Sequence, residues 1–328
     1  MRAMQITELS GPASALKPAD VPEPEASHML TPGSGVVVDV RAAGVSFPEV
    51  LQTRGEYQVK PPLPFVPGSE VGGVVRTAPP DADVKPGDRV AAFCMLGGFA
   101  EAAVSPTHMT FKLPDRLDFA QGASLVLNYH TAYFALKIRG RLQAGETALV
   151  HGGAGGVGTA ALQVARGLGA TTIAVVSSDA KQRVAESAGA DHVVRSDGPW
   201  KDQAKEISGG GVDVVIDPVG GARFTDSIRA LREGGRVVVV GFTAGLIPEV
   251  RVNRLLLNNV EIVGAGWGAY VLSKPDTSAQ IGEELHRMIE QGVVAPVVGA
   301  RYPLERAGEA LVLLDERGAA GKVVLEVD

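Results

Sequence analysis

The chain predicts an α/β protein of two domains: a β-rich first domain, then a doubly wound parallel sheet with helices on both faces. Three observations carry this. Residues 146–158, ETALVHGGAGGVG, read as buried strand, glycine turn and helix start. From Thr147 to Val240 strand-like and helix-like stretches alternate, which demands crossover connections and a parallel sheet. Before Asp118 the chain offers short strands at close spacing between proline and glycine turns, a barrel-like antiparallel rhythm.

Residues 1–9 open the first domain as a strand, and 12–32, punctuated by proline, read as irregular. VVVDVRAA (36–43) is a strand. A short helical piece at 48–53, a proline-rich loop at 60–67 and a strand from Glu70 follow. Gly87 and Asp88 supply a turn into a strand ending at Ala92, and 99–104 and 109–113 are further strands. Residues 119–127 and 131–137 read as helices. Strands at 147–151, 171–176, 192–194, 212–216 and 236–240 then alternate with helices at 157–167, 180–188, 200–207 and 222–230. The runs at 212–216 and 236–240 suit strands buried on both faces. Residues 253–257 and 261–263 are expected to close the sheet. A helix at 278–290, a strand at 293–300, a helix at 304–316 and a strand at 321–327 are expected to return to the first domain. The expected division is therefore 1–122, completed by 266–328, and 123–265.

Gly153-Ala154-Gly155-Gly156-Val157-Gly158 fits G-x-G-x-x-G between a strand and a helix, the context that makes the pattern a dinucleotide-binding signal. Gly153 is read as the sharp turn, Gly155 as the place where a pyrophosphate meets bare backbone, and Gly158 as the point of close helix–strand packing. The helix N-terminus offers N–H groups and partial positive charge to phosphates. A carboxylate for the ribose 2′-hydroxyl is expected at the end of the second strand. Ser177 stands there instead, followed by Ser178 and Lys181. Hydroxyls and an ammonium accept a 2′-phosphate that a carboxylate would repel, so NADPH is expected. Asp179 is read as turned outward. Arg195, after the third strand, is a further candidate for that phosphate or a solvated charge. Val219 and Gly220, and Gly241, Phe242 and Thr243, follow later strands, at the strand ends where ligands of such sheets bind.

The totals exclude other classes. The chain has 328 residues, 45% apolar, with a formal net charge of −6 and no long basic run, which argues against nucleic acid and anionic membrane as partners. A single cysteine, Cys94, permits no internal disulfide and fits a reducing compartment. Neither a leader-like apolar segment nor one of transmembrane length is evident, so a cytoplasmic location is expected.

The stretches AGVSFPEVL (43–51), LPFVPGSEVGGVV (63–75), VKPGDRVAA (84–92), NYHTAYFAL (128–136), HGGAGGVGTAALQVARGLGA (151–170), VIDPVGG (215–221) and GKVVLEV (321–327) resemble the medium-chain dehydrogenase/reductase superfamily, in its quinone oxidoreductase (zeta-crystallin-like) branch. The resemblance implies a GroES-like catalytic domain built from both chain ends, a Rossmann domain between them, a nicotinamide cleft at their seam, and a homodimer joined through Rossmann sheet edges. Zinc-dependent members carry G-H-E and a cysteine cluster. The matching residues here are Gly68-Ser69-Glu70, one cysteine cannot build a thiolate cluster, and six histidines are scattered, so no metal site is expected.

The resemblance also implies roles. Ser46 stands where the branch often has Asn, and its hydroxyl is a candidate donor to the substrate oxygen or the nicotinamide amide. Tyr57 matches a cleft tyrosine whose phenol can donate to a developing oxyanion. Leu51 replaces a second tyrosine and makes that side of the substrate pocket apolar. Thr131 matches a residue beside the nicotinamide, Asn128 is placed on the same cleft, and Asn253 and Leu255 fall in a stretch that contacts the cofactor. Glu70 and Asp88 are read as structural. The expected activity is zinc-independent transfer of hydride from NADPH to a quinone or an α,β-unsaturated carbonyl. The alternatives are an enoyl- or acrylyl-thioester reductase, with Arg54 and Lys60 near the acyl carrier, and a catalytically weak NADPH-binding sensor or structural protein.

Overall fold

The computed structural model describes every residue from Met1 to Asp328. The chain separates into two compact units, Met1–Leu127 with Pro296–Asp328, and Asn128–Ala295. In chain order the strands are β1 (Arg2–Ile6), β2 (Leu16–Asp20), β3 (Val36–Val45), β4 (Glu70–Thr77), β5 (Arg89–Phe93), β6 (Ala102–Ser105) and β7 (Thr110–Lys112). The second unit contributes β8 (Thr147–His151), β9 (Thr171–Val176), β10 (His192–Arg195), β11 (Val212–Asp217), β12 (Leu231–Val239) and β13 (Glu261–Gly264). The chain closes with β14 (Val298–Pro303) and β15 (Lys322–Glu326).

The first unit is the β-rich domain. Its main sheet runs β14-β15-β3-β4-β5-β7, with β6 paired to β3, and β1 and β2 form a separate antiparallel pair. The long strand β3 is central. It pairs antiparallel with β15 and with β4, and its buried valines pack with Val71, Val90, Phe99, Leu311 and Leu325. Gly44 lets β4 come close: a Cβ there would lie 2.7 Å from Glu70 Cγ and 2.1 Å from the Ala123 carbonyl oxygen.

The second unit is the doubly wound sheet. Its strand order is β10-β9-β8-β11-β12-β13, and every adjacent pair is parallel. The chain winds outward from β8 in one direction, returns, and winds outward in the other, so the order reverses beside β8, where ligands of such sheets bind at the strand ends. All six residues of β11 are buried, as a central strand covered on both faces requires.

Several elements differ from expectation. Within 12–32, Leu16–Asp20 is a strand, because β1 offers it a full antiparallel partner. Residues 253–257 do not join the sheet: Asn253–Asn258 is a helix, ended by Asn259 in the left-handed region (φ 49°). Three consecutive leucines carry no period. Only Leu255 packs inward, while Leu256 and Leu257 are exposed. The helix Val126–Tyr133 passes into a π-helical turn at Phe134–Arg139, with the Gly140 N–H donating to the Ala135 carbonyl. Residues 266–295 group with the parallel sheet rather than the first unit. Gln163 clamps Ala295 with two 2.9 Å hydrogen bonds, and Met288 lies against Gly167. Residues 123–127 go the other way, and the Leu127 N–H donates to Glu70 Oε2 at 2.9 Å.

Candidate functional site

In the second unit the glycine turn sits between β8 and the helix Gly156–Gly167, whose N-cap is Gly155. The turn differs from the sequence reading in one respect. The left-handed residue is Gly152 (φ 60°), whereas Gly153 is required because a side chain would strike Ala174 of β9, with Cβ to Cβ at 2.8 Å. Gly158 behaves as read: a Cβ would lie 2.1 Å from the Gly152 carbonyl oxygen. At Gly155 a Cβ would meet only that same oxygen, at 3.4 Å, so the backbone there is open on its outer side. Asn128 is buried against the turn, with Nδ2 3.0 Å from where a Gly156 Cβ would stand. The N–H groups of Gly156, Val157 and Gly158 open the helix and have no partner within it, as at any helix start, which suits a diphosphate.

Beyond β9, Ser177 is exposed, and Ser178 caps the helix Asp179–Ser187 by accepting from the Lys181 N–H at 3.3 Å. Lys181 therefore sits in the first turn of this helix, its backbone N–H on the Ser178 hydroxyl. Arg195, at the end of β10, is already engaged: it binds the Ser177 carbonyl at 3.1 Å and pairs with Asp197 and with Asp179. Asp179 is turned outward, as read from the sequence, with its side chain 81% exposed, although Arg195 reaches back to pair with it.

The loops after β11 and β12 are tied to each other. Asp217 Oδ1 accepts from the N–H groups of Val219 and Gly220, both at 2.8 Å, and Gly220 takes φ 66°. Thr243 donates from backbone and hydroxyl to the Pro218 carbonyl at 3.1 Å, and Phe242 packs toward Gly220. Val219, Gly220, Gly241, Phe242 and Thr243 are therefore one loop pair at the strand ends. Asn253 is exposed on its helix, and Leu255 packs into the core of this unit. Asp217 and His151 were not singled out from the sequence. His151 is fully buried, bonded through Nε2 to Ser227 Oγ at 2.8 Å, and burial lowers its pKa to about 4 against the raising pull of Asp217.

In the first unit the two register relations of β3 place three polar side chains in a row. Val323 pairs with Val45 and Gly44 with Glu70, so Lys322, Ser46 and Glu70 meet. Lys322 Nζ donates to Ser46 Oγ at 2.6 Å and to Glu70 Oε1 at 2.7 Å, and all three residues are at least nine-tenths buried. On the other side Glu49 accepts from the Ser46 N–H at 2.9 Å and from Ser69 Oγ at 2.5 Å. Glu49 is fully buried, and burial raises its carboxyl pKa against the opposing effects of Ser69 and Lys322. Tyr57 is half-buried, its phenol pKa raised first by burial and then by the charge of Glu49. Leu51 lies half-buried on the helix Phe47–Gln52. Burial likewise pushes the Cys94 thiol up, which leaves it unreactive.

The structure thus gathers Ser46 with Glu70, whose contacts hold the Leu127 N–H and Lys322 in place as a structural residue would, and adds Lys322 and Glu49, which have no local sequence signal. The donor set does not fit a zinc ion. Ser69 and Glu49 are bonded to each other, Glu70 and Ser46 face an ammonium, and no group of three or more His, Cys, Asp or Glu side chains is placed to hold a metal. No helix is long and apolar enough to cross a membrane.

Comparison with known proteins gives two family matches, an alcohol dehydrogenase GroES-like domain over residues 32–115 and a zinc-binding dehydrogenase over residues 156–286. Quinone oxidoreductase-like protein 2 of Mus musculus is 37% identical, over 99% of this chain and 92% of its own. Among solved structures, a probable oxidoreductase from Mycobacterium abscessus is 42% identical with a TM-score of 0.88, covering 99% of this chain and 98% of its own. The quinone oxidoreductase of Thermus thermophilus, solved also with NADPH, is 33% identical with a TM-score of 0.83, covering 99% of this chain and 100% of its own.

Proposed function

We propose, from the premise that the chain belongs to the medium-chain dehydrogenase/reductase superfamily in its quinone oxidoreductase-like branch, that it is an NADPH-dependent oxidoreductase acting without zinc on a quinone or an α,β-unsaturated carbonyl. The observation that carries this reading is the strand end after β9, where Ser177, Ser178 and Lys181 occupy the place of a ribose-binding carboxylate beside an open glycine turn. The turn Gly153–Gly158 would hold the pyrophosphate by backbone N–H groups, and Ser177, Ser178, Lys181 and Arg195 the 2′-phosphate. Arg195 serves that phosphate by letting its contacts with Asp179 and Asp197 loosen. When bound, the nicotinamide supplies the hydride. The protein's own part is to fix the two reactants and to offer hydrogen-bond donors, Ser46 and Tyr57, to the oxygen on which charge develops. The complex of the Thermus relative with NADPH supports the cofactor. Nothing favours the thioester alternative at Arg54, whose guanidinium is paired with Asp315 at 2.5 Å.

Lys181→Ala tests the cofactor assignment. Losing a charge-assisted contact of about 1.5–3 kcal/mol raises KM for NADPH roughly ten- to a hundredfold and leaves KM for NADH unchanged. Steady-state oxidation of both coenzymes with a quinone panel checks it. Equal use of the two coenzymes by wild type and variant alike sinks the 2′-phosphate assignment.

A further inference from the structure

We infer that Lys322 is a positioning residue that turns the Ser46 hydroxyl into the proton donor for the reduced acceptor; this rests on the reading of Ser46 given above. An ammonium has hydrogens and no acceptor, so at 2.6 Å Lys322 donates and Ser46 Oγ accepts. The hydrogen of Ser46 is therefore directed away from Lys322. An oxygen that accepts from a cation is a stronger donor through its own hydrogen, more so where burial thins the surrounding water. Ser46 keeps 7% exposure and Lys322 only 4%. On the reading of Ser46 given above, its hydroxyl is the member of the row that meets the acceptor, and the ammonium, held by Ser46 and Glu70, acts through it. Glu70, fully buried, fixes the ammonium with one carboxylate oxygen, while its other oxygen is held by the Leu127 N–H. Glu49, from the helix Phe47–Gln52, holds the Ser46 backbone, with Tyr57 and Cys94 the other ionisable groups that feel its charge.

The atoms balance. Hydride from the reduced nicotinamide adds to the acceptor, whose carbonyl oxygen gains the electron pair. The Ser46 O–H bond breaks as an O–H bond forms on that oxygen. A Lys322 N–H bond breaks as Ser46 Oγ regains its proton, and the neutral amine stays bonded to Glu70 until solvent returns a proton. The net addition is one hydride and one proton.

The test uses the full chain with Ser46→Ala, Lys322→Met, Lys322→Arg and the Ser46→Ala/Lys322→Met double variant. Removal of an oxyanion donor costs about 10²–10³ in kcat. The expected result is a loss of that size in Ser46→Ala and in Lys322→Met, and no further loss in the double variant. NADPH dissociation constants and acceptor KM stay within about threefold of wild type, and Lys322→Arg recovers most of the loss. A merely structural lysine would lower thermal stability and coenzyme binding together, without this split. Should Lys322→Met fail to fold, Ser46→Ala, which leaves the Lys322–Glu70 pair in place, carries the test. Wild-type kcat in Ser46→Ala overturns the inference while leaving the proposed function standing. If the wild type oxidises NADPH with no acceptor, the proposed function fails. The inference is then read from 4-nitrophenol, whose bound form ionises at lower pH than the free phenol if Ser46 is a polarised donor. A shift that Ser46→Ala abolishes supports the inference, and an unshifted or Ser46-independent ionisation overturns it.

Discussion

Gly158→Val destroys coenzyme binding and lowers stability, the largest single-residue effect expected in this protein. A Cβ at this position would stand 2.1 Å from the Gly152 carbonyl oxygen, with Gly152 C and Gly153 C at 2.8 and 2.9 Å. All three are backbone atoms of the turn, so no side chain can rotate away. Either the helix or the turn must move by about 1 Å, and overpacking of this kind costs at least ~1–3 kcal/mol. The helix N–H groups move with it. Gly155→Ala is the informative contrast. Its φ is −84°, and its Cβ would meet only the Gly152 oxygen at 3.4 Å, so the protein folds as before. The added methyl nonetheless stands on the open side assigned to the pyrophosphate. Thermal unfolding and titration of NADPH fluorescence check both. Gly158→Val loses stability and binding together; Gly155→Ala loses binding alone. Undiminished NADPH binding by Gly158→Val would contradict the placement of the phosphates.

Acid destabilises the fold well before its carboxylates are protonated. His151 and His130 are fully buried, and desolvation lowers their pKa from 6.5 to about 4 and about 3 respectively. A base whose folded pKa is lowered contributes stability that is complete above the unfolded pKa and lost as pH falls through the folded one. The window here runs from 6.5 down to 3–4. At pH 5 each histidine has given up about 2 kcal/mol by linkage. Glu49 acts in the opposite sense. Its raised pKa means that its contribution is complete below the unfolded carboxyl value and is lost as pH rises through the folded one. Urea unfolding at pH 7 and pH 5 is therefore expected to differ by about 4 kcal/mol through the two histidines. His151→Gln should remove about half of that difference. A difference below ~1 kcal/mol would show that these imidazoles ionise in the folded state without penalty.

The sequence carried the architecture because the signals for it are local and periodic. The alternation after Thr147 and the continuous apolar runs at β11 and β12 required a parallel sheet, and the sheet is parallel throughout. It was less informative wherever a partner decides. Leu16–Asp20 is a strand only because β1 lies beside it, and the leucines after Asn253 have no periodicity to separate strand from helix. The G-x-G-x-x-G pattern puts the sharp turn at Gly153, and Gly152 makes it. Four glycines in five positions hide which backbone angle each one takes, and only the approach of Ala174 explains why Gly153 is needed. Lys322 and Ser46 are 276 positions apart, so no local pattern connects them. The GKVVLEV stretch carries a family resemblance, while the use of its lysine follows only from the register of β15 on β3. Glu49 was equally silent, because a buried carboxylate and a solvated helix-start glutamate look alike in one dimension.

The central claim is that this chain moves hydride from NADPH to a carbonyl-conjugated acceptor with no metal. Single-turnover reduction of an enone by chelator-treated protein, loaded with NADPH deuterated at nicotinamide C4, tests it most directly. The account predicts one deuterium on the β-carbon of the product, one NADPH oxidised per product formed, and an unchanged rate after zinc is added back. Tight NADPH binding with no deuterium transfer to any enone and no oxidation by any quinone, or turnover that returns only with zinc, would contradict it.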